Sequence, residues 1–154
     1  MILALDVGTK ESAYCFIEKN TYKPVIFGKI NNNDLLEIVK EGKYNKMIYE
    51  GFACYGMPVG QSTITSIEWN GRYKQIALDL NKEVDVVYRS EEKMNLCGTM
   101  KAKDSNIRQA LIDRFGDVGT KKNQGWFYGF KADIWSSYAV GVTYLDRSEK
   151  NGVD

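Results

Sequence analysis

Apolar residues come in short runs near the N-terminus and in longer, spaced stripes further on. Ile2–Leu5 is an unbroken apolar run, the pattern of a strand covered on both faces of a sheet, and Asp6 ends it. Ser12–Ile17 alternates, with Ala13, Cys15 and Ile17 on one face and Tyr14 and Phe16 on the other. Pro24–Ile30 is a third run, after a turn rich in Asn, Tyr and Lys. The links between these runs are too short for a crossover helix, which predicts an antiparallel meander. Asn31–Asp34 is an N-cap cluster ahead of Leu35, Leu36, Ile38 and Val39, a short amphipathic helix that Gly42 ends. Lys46–Tyr49 reads as a fourth strand, with Glu50 at its end. Because a helix precedes it, this strand is expected to run parallel to the first. Asp6 and Glu50 then share one edge, the C-terminal ends of neighbouring parallel strands, where open α/β sheets hold their ligands.

Gly51–Gly60 is a loop carrying Phe52, Tyr55 and Met57, and Gln61–Leu80 is a long helical pattern interrupted by Gly71. At about 100° per residue, Ile64, Ile67, Gly71 and Leu78 fall on one side, with Trp69, Tyr73, Ile76 and Leu80 nearly opposite. A helix lying on a sheet needs one apolar stripe. The second requires another partner, either a neighbouring helix or a second subunit. Val84–Tyr88 is a fifth strand, and Arg89–Leu96 a short helix capped by Ser90. Cys97–Lys103 is a glycine turn with two lysines, and a helix then runs from Asp104 or Ser105 to Phe115, where Gly116 stops it. The loop Gly119–Gly129 holds Lys121 and Lys122, and its aromatics Trp126, Phe127 and Tyr128 are read mainly as core packing. A last helix spans about Ala132 to Leu145, and residues 1–147 form one domain followed by a polar tail over 148–154.

Asp6 is the first candidate for chemistry. A carboxylate at the end of a buried strand is costly unless something cationic meets it, and Gly8 leaves room for a metal ion or a phosphate to approach. A plain turn in which Asp6 caps local N–H groups is the other reading. The composition narrows the chemistry. With no histidine, a general base must be a carboxylate, lysine, tyrosine, cysteine or metal-activated water, so Ser-His-Asp and Cys-His arrangements are excluded. The three cysteines, Cys15, Cys54 and Cys97, are widely spaced and form no CxxC pair, which excludes the usual zinc arrangements and fits a reducing compartment. There is no phosphate-binding GxxxxGK[ST] loop and no GxGxxG, so no nucleotide cofactor is expected. The 154 residues fit one core, and a net charge of +1 means that any nucleic-acid binding must rest on local basic clusters. Without a cleavable leader pattern or an apolar run near the ~18 residues of a membrane span, the expectation is a cytoplasmic protein with no membrane partner.

Acids after strand one, after strand four and on the last helix, in the order βββαβαβαα, fit one known layout. Ala4-Leu5-Asp6-Val7-Gly8-Thr9 resembles the first motif of RuvC-type Holliday-junction resolvases. Tyr49-Glu50-Gly51-Phe52, with Gly71 in the following helix, resembles their second. Gly98-Thr99-Met100-Lys101-Ala102-Lys103 is similar to their basic turn, and Asp133-Ile134-Trp135-Ser136-Ser137-Tyr138-Ala139-Val140 to their last acidic helix. The similarity covers about residues 2–145, and the small size looks like the phage-borne branch. It implies an α/β, ribonuclease H-like mixed five-stranded sheet flanked by helices. It also implies a structure-selective endonuclease that cuts Holliday junctions and other branched DNA by metal-assisted hydrolysis, in the cytoplasm of a bacterial host if phage-encoded.

On this resemblance Asp6, Glu50 and Asp133 form a hard oxygen site for Mg²⁺ or Mn²⁺. Two ions ~4 Å apart would serve the phosphodiester, with Asp6 bridging and Glu50 and Asp133 on either side. The chain departs from the bacterial pattern of two ligands three apart on the last helix, because Phe130 and Ser136 stand at that spacing from Asp133. Ser136 shares its helix face and is the candidate weak ligand. Lys101 and Lys103 are candidates for contact with the scissile strand, and Lys10, Lys121, Lys122 and Lys131 for a wider basic surface. Phe52, Tyr55 and Met57 either wedge into an opened junction or pack as a lid. Paired nicks on strands of like polarity call for a two-fold dimer, for which Trp69, Tyr73, Ile76 and Leu80 are the expected interface. Two alternatives stay open: a YqgF-type nuclease, whose Asp-Val-Gly-Thr-Lys opening is similar but which lacks the glutamate, and a catalytically reduced branched-DNA-binding protein. The sugar-kinase and actin type shares the Asp-x-Gly-Thr stretch but needs two such domains.

Overall fold

The computed structural model describes residues 1–152. Its sheet comprises β1 (Ile2–Val7), β2 (Glu11–Ile17), β3 (Pro24–Asn31), β4 (Lys46–Gly51) and β5 (Glu83–Tyr88), in the spatial order β3-β2-β1-β4-β5. β1 is central, antiparallel to β2 and parallel to β4, and β5 is parallel to β4. The meander and the parallel fourth strand are therefore as the short links and the intervening helix dictate.

Alternation along β1 divides the core into two layers. Leu3, Leu5 and Val7 face α1 (Asn32–Glu41) and α2 (Gln61–Asp79), and Ile2 and Ala4 face the opposite layer. That second layer contains α3 (Arg89–Cys97), α4 (Asp104–Phe115) and α5 (Ile134–Lys150). Three helices follow β5, matching the three helical stretches read after the fifth strand, so the full order is βββαβαβααα, one helix longer than the layout βββαβαβαα of the acid-bearing motifs. Tyr88, not Ser90, stands at the start of α3: its N–H donates to the Glu91 carboxylate at 2.8 Å. Of the tail expected over 148–154, residues 148–150 continue α5, while 153–154 lie outside the described residues. α5 lies close on the sheet where Gly141 passes Ile17 and Ala4, a crossing with no space for a Cβ.

The two stripes of α2 are assigned opposite to expectation. Tyr73 is fully buried and its hydroxyl donates to the Asn32 carbonyl at 2.9 Å, while Trp69 and Ile76 pack on the same core. Leu80, at the C-cap of α2, lies near Gly42 at the end of α1. The Trp69–Tyr73–Ile76 stripe covers the sheet and is no free interface. Ile64, Ile67 and Leu78 are exposed, as is Leu80 at the helix end, and Gly71 opens onto free space.

Candidate active site at the sheet edge

The pleat decides where the acids point. Leu5 pairs with Tyr49, so Asp6 and Glu50 follow side by side at the C-terminal edge of β1 and β4. Ala4 and Ile48, two residues earlier in each strand, both belong to the α5 layer. With a period of two, Asp6 and Glu50 face that layer as well. The turn after Asp6 is fixed by a buried network. Gly8 N–H donates to Ser12 Oγ at 3.1 Å, Ser12 donates to Asn32 Oδ1, and Asn32 Nδ2 donates back to the Gly8 carbonyl at 3.0 Å. A Cβ on Gly8 would collide with the Glu11 carbonyl. The tightness of this turn by itself requires the glycine.

Glu50 meets a partner that the sequence reading did not include. Glu92, on α3, is fully buried. Its carboxyl lies within hydrogen-bonding reach of Glu50, and one oxygen accepts from Arg89 at 3.3 Å. Glu92 Oε2 and Glu50 Oε1 are buried with no donor. Two carboxylates offer each other only acceptors, so this contact requires a proton or a cation between them. Burial first, and then the contact with Glu50, drives the Glu92 carboxyl far above the usual carboxylate range. Burial, and then the charges of Glu50 and Asp133, push Asp6 up to about 7, against the opposing pull of Arg89 and Lys29. Asn70 of α2, almost wholly buried, donates to the Glu50 carbonyl at 3.5 Å and supports the strand end.

Asp133 reaches the same rim by another route. Phe127, Phe130, Trp135 and Tyr138 pack ring against ring beneath the start of α5, with centroids 4.8–5.6 Å apart. This cluster fixes the turn that presents Asp133 and accounts for Phe127 in the core. Asp133 sits at the N-cap position without capping. Its carboxylate instead accepts from Lys29 Nζ of β3 at 2.8 Å. Ser136, half-buried, is in the first turn of α5.

The remaining candidates lie on the surface. Lys10, Lys101, Lys103, Lys121, Lys122 and Lys131 are all exposed, as are Phe52, Tyr55 and Met57 on the loop after β4. Lys103 is the N-cap of α4, next to Asp104, which is ion-paired with Arg89. The basic turn is thereby tied to Glu92 through one arginine. Arg89 and Lys29 are the cations that act on Asp6. Neither was singled out in the sequence, because a lone basic residue on a strand or at a helix start carries no pattern.

The donor set is all oxygen, partly desolvated and rich in negative charge, which suits a hard divalent cation. Asp6 and Glu50 are the residues that would hold it, with Asp133 at the rim. Among the described residues, however, no three such donors converge on one point as placed. Asp133 is engaged by Lys29.

No protein-family model and no curated protein matches the sequence. Solved structures do match the fold. Thermus thermophilus RuvC superposes with a TM-score of 0.70 at 12% identity, over 99% of this chain and 96% of that one. The chain has the RuvC fold. T. thermophilus RuvC in complex with a Holliday junction substrate gives a TM-score of 0.71 at 10% identity, covering 98% and 95% of the two chains. The yeast mitochondrial Holliday junction resolvase gives 0.64 at 12% identity, over 94% of this chain and 77% of that one. The RuvC fold thus spans the chain almost end to end, with the acid-bearing sheet edge inside it.

Proposed function

We propose that this protein is a structure-selective endodeoxyribonuclease that hydrolyses phosphodiesters in Holliday junctions and other branched DNA, using Mg²⁺ or Mn²⁺ and acting as a homodimer. The observation that carries the reading is the pairing of Asp6 with Glu50 at the C-terminal edge of parallel strands in a RuvC fold, with Asp133 on the same rim. Asp6 and Glu50 would hold the cation, with Asp133 on the same rim as the third acid. The chemistry such cations supply is activation of a water and stabilisation of the leaving 3′ oxygen. Lys101 and Lys103 bind backbone phosphates next to the pit, and Lys10, Lys121, Lys122 and Lys131 extend the basic contact. Phe52, Tyr55 and Met57 offer exposed apolar surface to splayed bases beside Glu50. The exposed α2 face, with Ile64, Ile67 and Leu78, is the surface for a second copy.

The test is cleavage of a labelled synthetic four-way junction, with fork and linear duplex alongside. Asp6→Asn and Glu50→Gln should each lower Mg²⁺-dependent cutting at least about a hundredfold, while junction binding in EDTA persists. Cutting by either variant at the wild-type rate overturns the assignment. The Lys29–Asp133 ion pair favours a second reading, a branched-DNA-binding protein with reduced catalysis. Wild-type protein that binds junctions and cuts none of the three substrates with either metal selects it.

A further inference from the structure

We propose that Glu92 of α3, whose buried carboxyl meets Glu50 at the sheet edge, is the additional acidic ligand of the cation site, in place of a second acid on α5. The inference rests on the nuclease reading and deepens it. Four observations carry it, beginning with position. β5 ends at Tyr88 beside Gly51, and α3 starts at the next residue. Glu92 lies one helical turn in, and helical side chains lean towards the N-terminus. Its carboxyl is therefore directed back over the edge that carries Glu50.

The second observation is burial. An acid in the first turn of a helix is favoured by the dipole while it remains in water. Glu92 is 0% exposed, and a buried carboxylate is costly unless its charge is met and its oxygens are hydrogen-bonded. Third, its partners do not meet that requirement. Arg89 reaches one oxygen at 3.3 Å and is shared with Asp104, while the other oxygen has no donor. Fourth, the nearby charge does not balance. Glu92 meets Glu50 and feels the negative charge of Asp6 as well, Arg89 is the cation acting on it, and Lys29 is already paired with Asp133. Purely structural burial would be served better by an apolar residue or by a donor for each oxygen. A divalent cation supplies what the geometry lacks, a positive charge facing the orphaned oxygens of Glu50 and Glu92. The position three residues after Asp133 is then free to be a serine.

Mn²⁺ binding to the full-length protein without DNA, read by electron paramagnetic resonance and calorimetry, tests this. Glu92→Gln keeps the side chain's size and gives Glu50 an amide donor, so the metal-free variant should melt no lower than wild type. Its Mn²⁺ affinity should fall by about ten- to a hundredfold. Glu91→Gln, on the same helix but bonded to Tyr88 and Arg147, should leave Mn²⁺ affinity unchanged. If E92Q does not fold, Glu92→Asp, which withdraws the carboxylate by one methylene, should show the same weakening. Affinity within twofold of wild type in the folded variant, where Asp6→Asn loses the ion, overturns the proposal, as does a wild-type protein that binds no Mn²⁺. Wild type that binds Mn²⁺ through Glu92 and cuts no DNA overturns the nuclease reading alone. Junction cutting with undiminished E92Q affinity overturns only the role of Glu92.

Discussion

What meets a carboxylate decides which way it titrates here, and the two cases act on stability with opposite sign. Asp146 accepts from both Arg114 guanidinium nitrogens at 2.8 Å, from Asn95 at 2.7 Å and from Tyr22 at 2.9 Å. Burial pushes its carboxyl upward, but these donors outweigh burial and hold it below the ordinary carboxylate value. Its contribution is therefore complete above the unfolded value of about 3.9 and is lost as pH falls through the lower folded value. Asp6 and Glu92 are raised, so the folded state favours their protonated forms. Stability from these two is present below about 4 and is lost as pH climbs, through about 7 for Asp6. The metal-free protein should melt highest at mildly acidic pH and fall off on both sides in a pH series of melting scans. Asp146→Asn should cost about 2 kcal/mol near neutrality and flatten the acid limb while leaving the fall towards pH 8 in place. An unchanged acid limb would remove the Asp146 network from the account. At this scale the sequence was informative only in part. Asp6 stood out because a charge ended an apolar run, whereas Glu92 was hidden among Ser90, Glu91 and Lys93 in a stretch that reads as solvated helix surface.

Among the elements, α5 does most to unite the fold, since it crosses β1 and β2 and carries Asp133 at its start. Close approach depends on Gly141, where an added Cβ would lie 3.1 Å from the Ala4 Cβ and run into the Ile17 side chain. Both neighbours are fully buried, so neither can move aside freely. Gly141→Val should destabilise by about 1–3 kcal/mol through overpacking, readable as a lower midpoint in urea with an unchanged slope. It should also weaken cleavage by tilting the start of α5. Gly141→Val at wild-type stability would show that the helix can move away from the sheet without penalty. Strands and helices were largely legible because their hydrophobic periods differ, and caps such as Asn31 and Gly42 fall where expected. Periodicity was silent on α2, where two apolar stripes compete and only the position of Asn32 and the sheet decides that Tyr73 turns inward.

For the whole molecule, the decisive asymmetry is that the acid pit opens on the α5 layer while the exposed apolar face lies on α2, in the other layer. Ile64, Ile67 and Leu78 are 41%, 45% and 45% exposed, and Gly71 between them leaves the helix backbone open to close approach. Exposed apolar residues repeated along one helix face are a feature of contact sites. A two-fold axis beside α2 sets each stripe against its own copy, an isologous contact that leaves both acid pits uncovered. Two pits related in this way suit paired cuts on strands of like polarity. Ile67→Lys places a charge at the centre of that contact and touches nothing in the core, so folding stability should change by no more than about 0.5 kcal/mol. Light scattering at micromolar concentration should give a dimer for wild type and a monomer for this variant. The monomer should keep its Mn²⁺ affinity, since Asp6, Glu50, Asp133 and Glu92 all lie within one chain. Its junction products should shift from paired cuts to single nicks. A wild-type protein that scatters as a monomer, or a variant that stays dimeric, would remove α2 from the interface and require the second active site to be brought to the junction by some other surface.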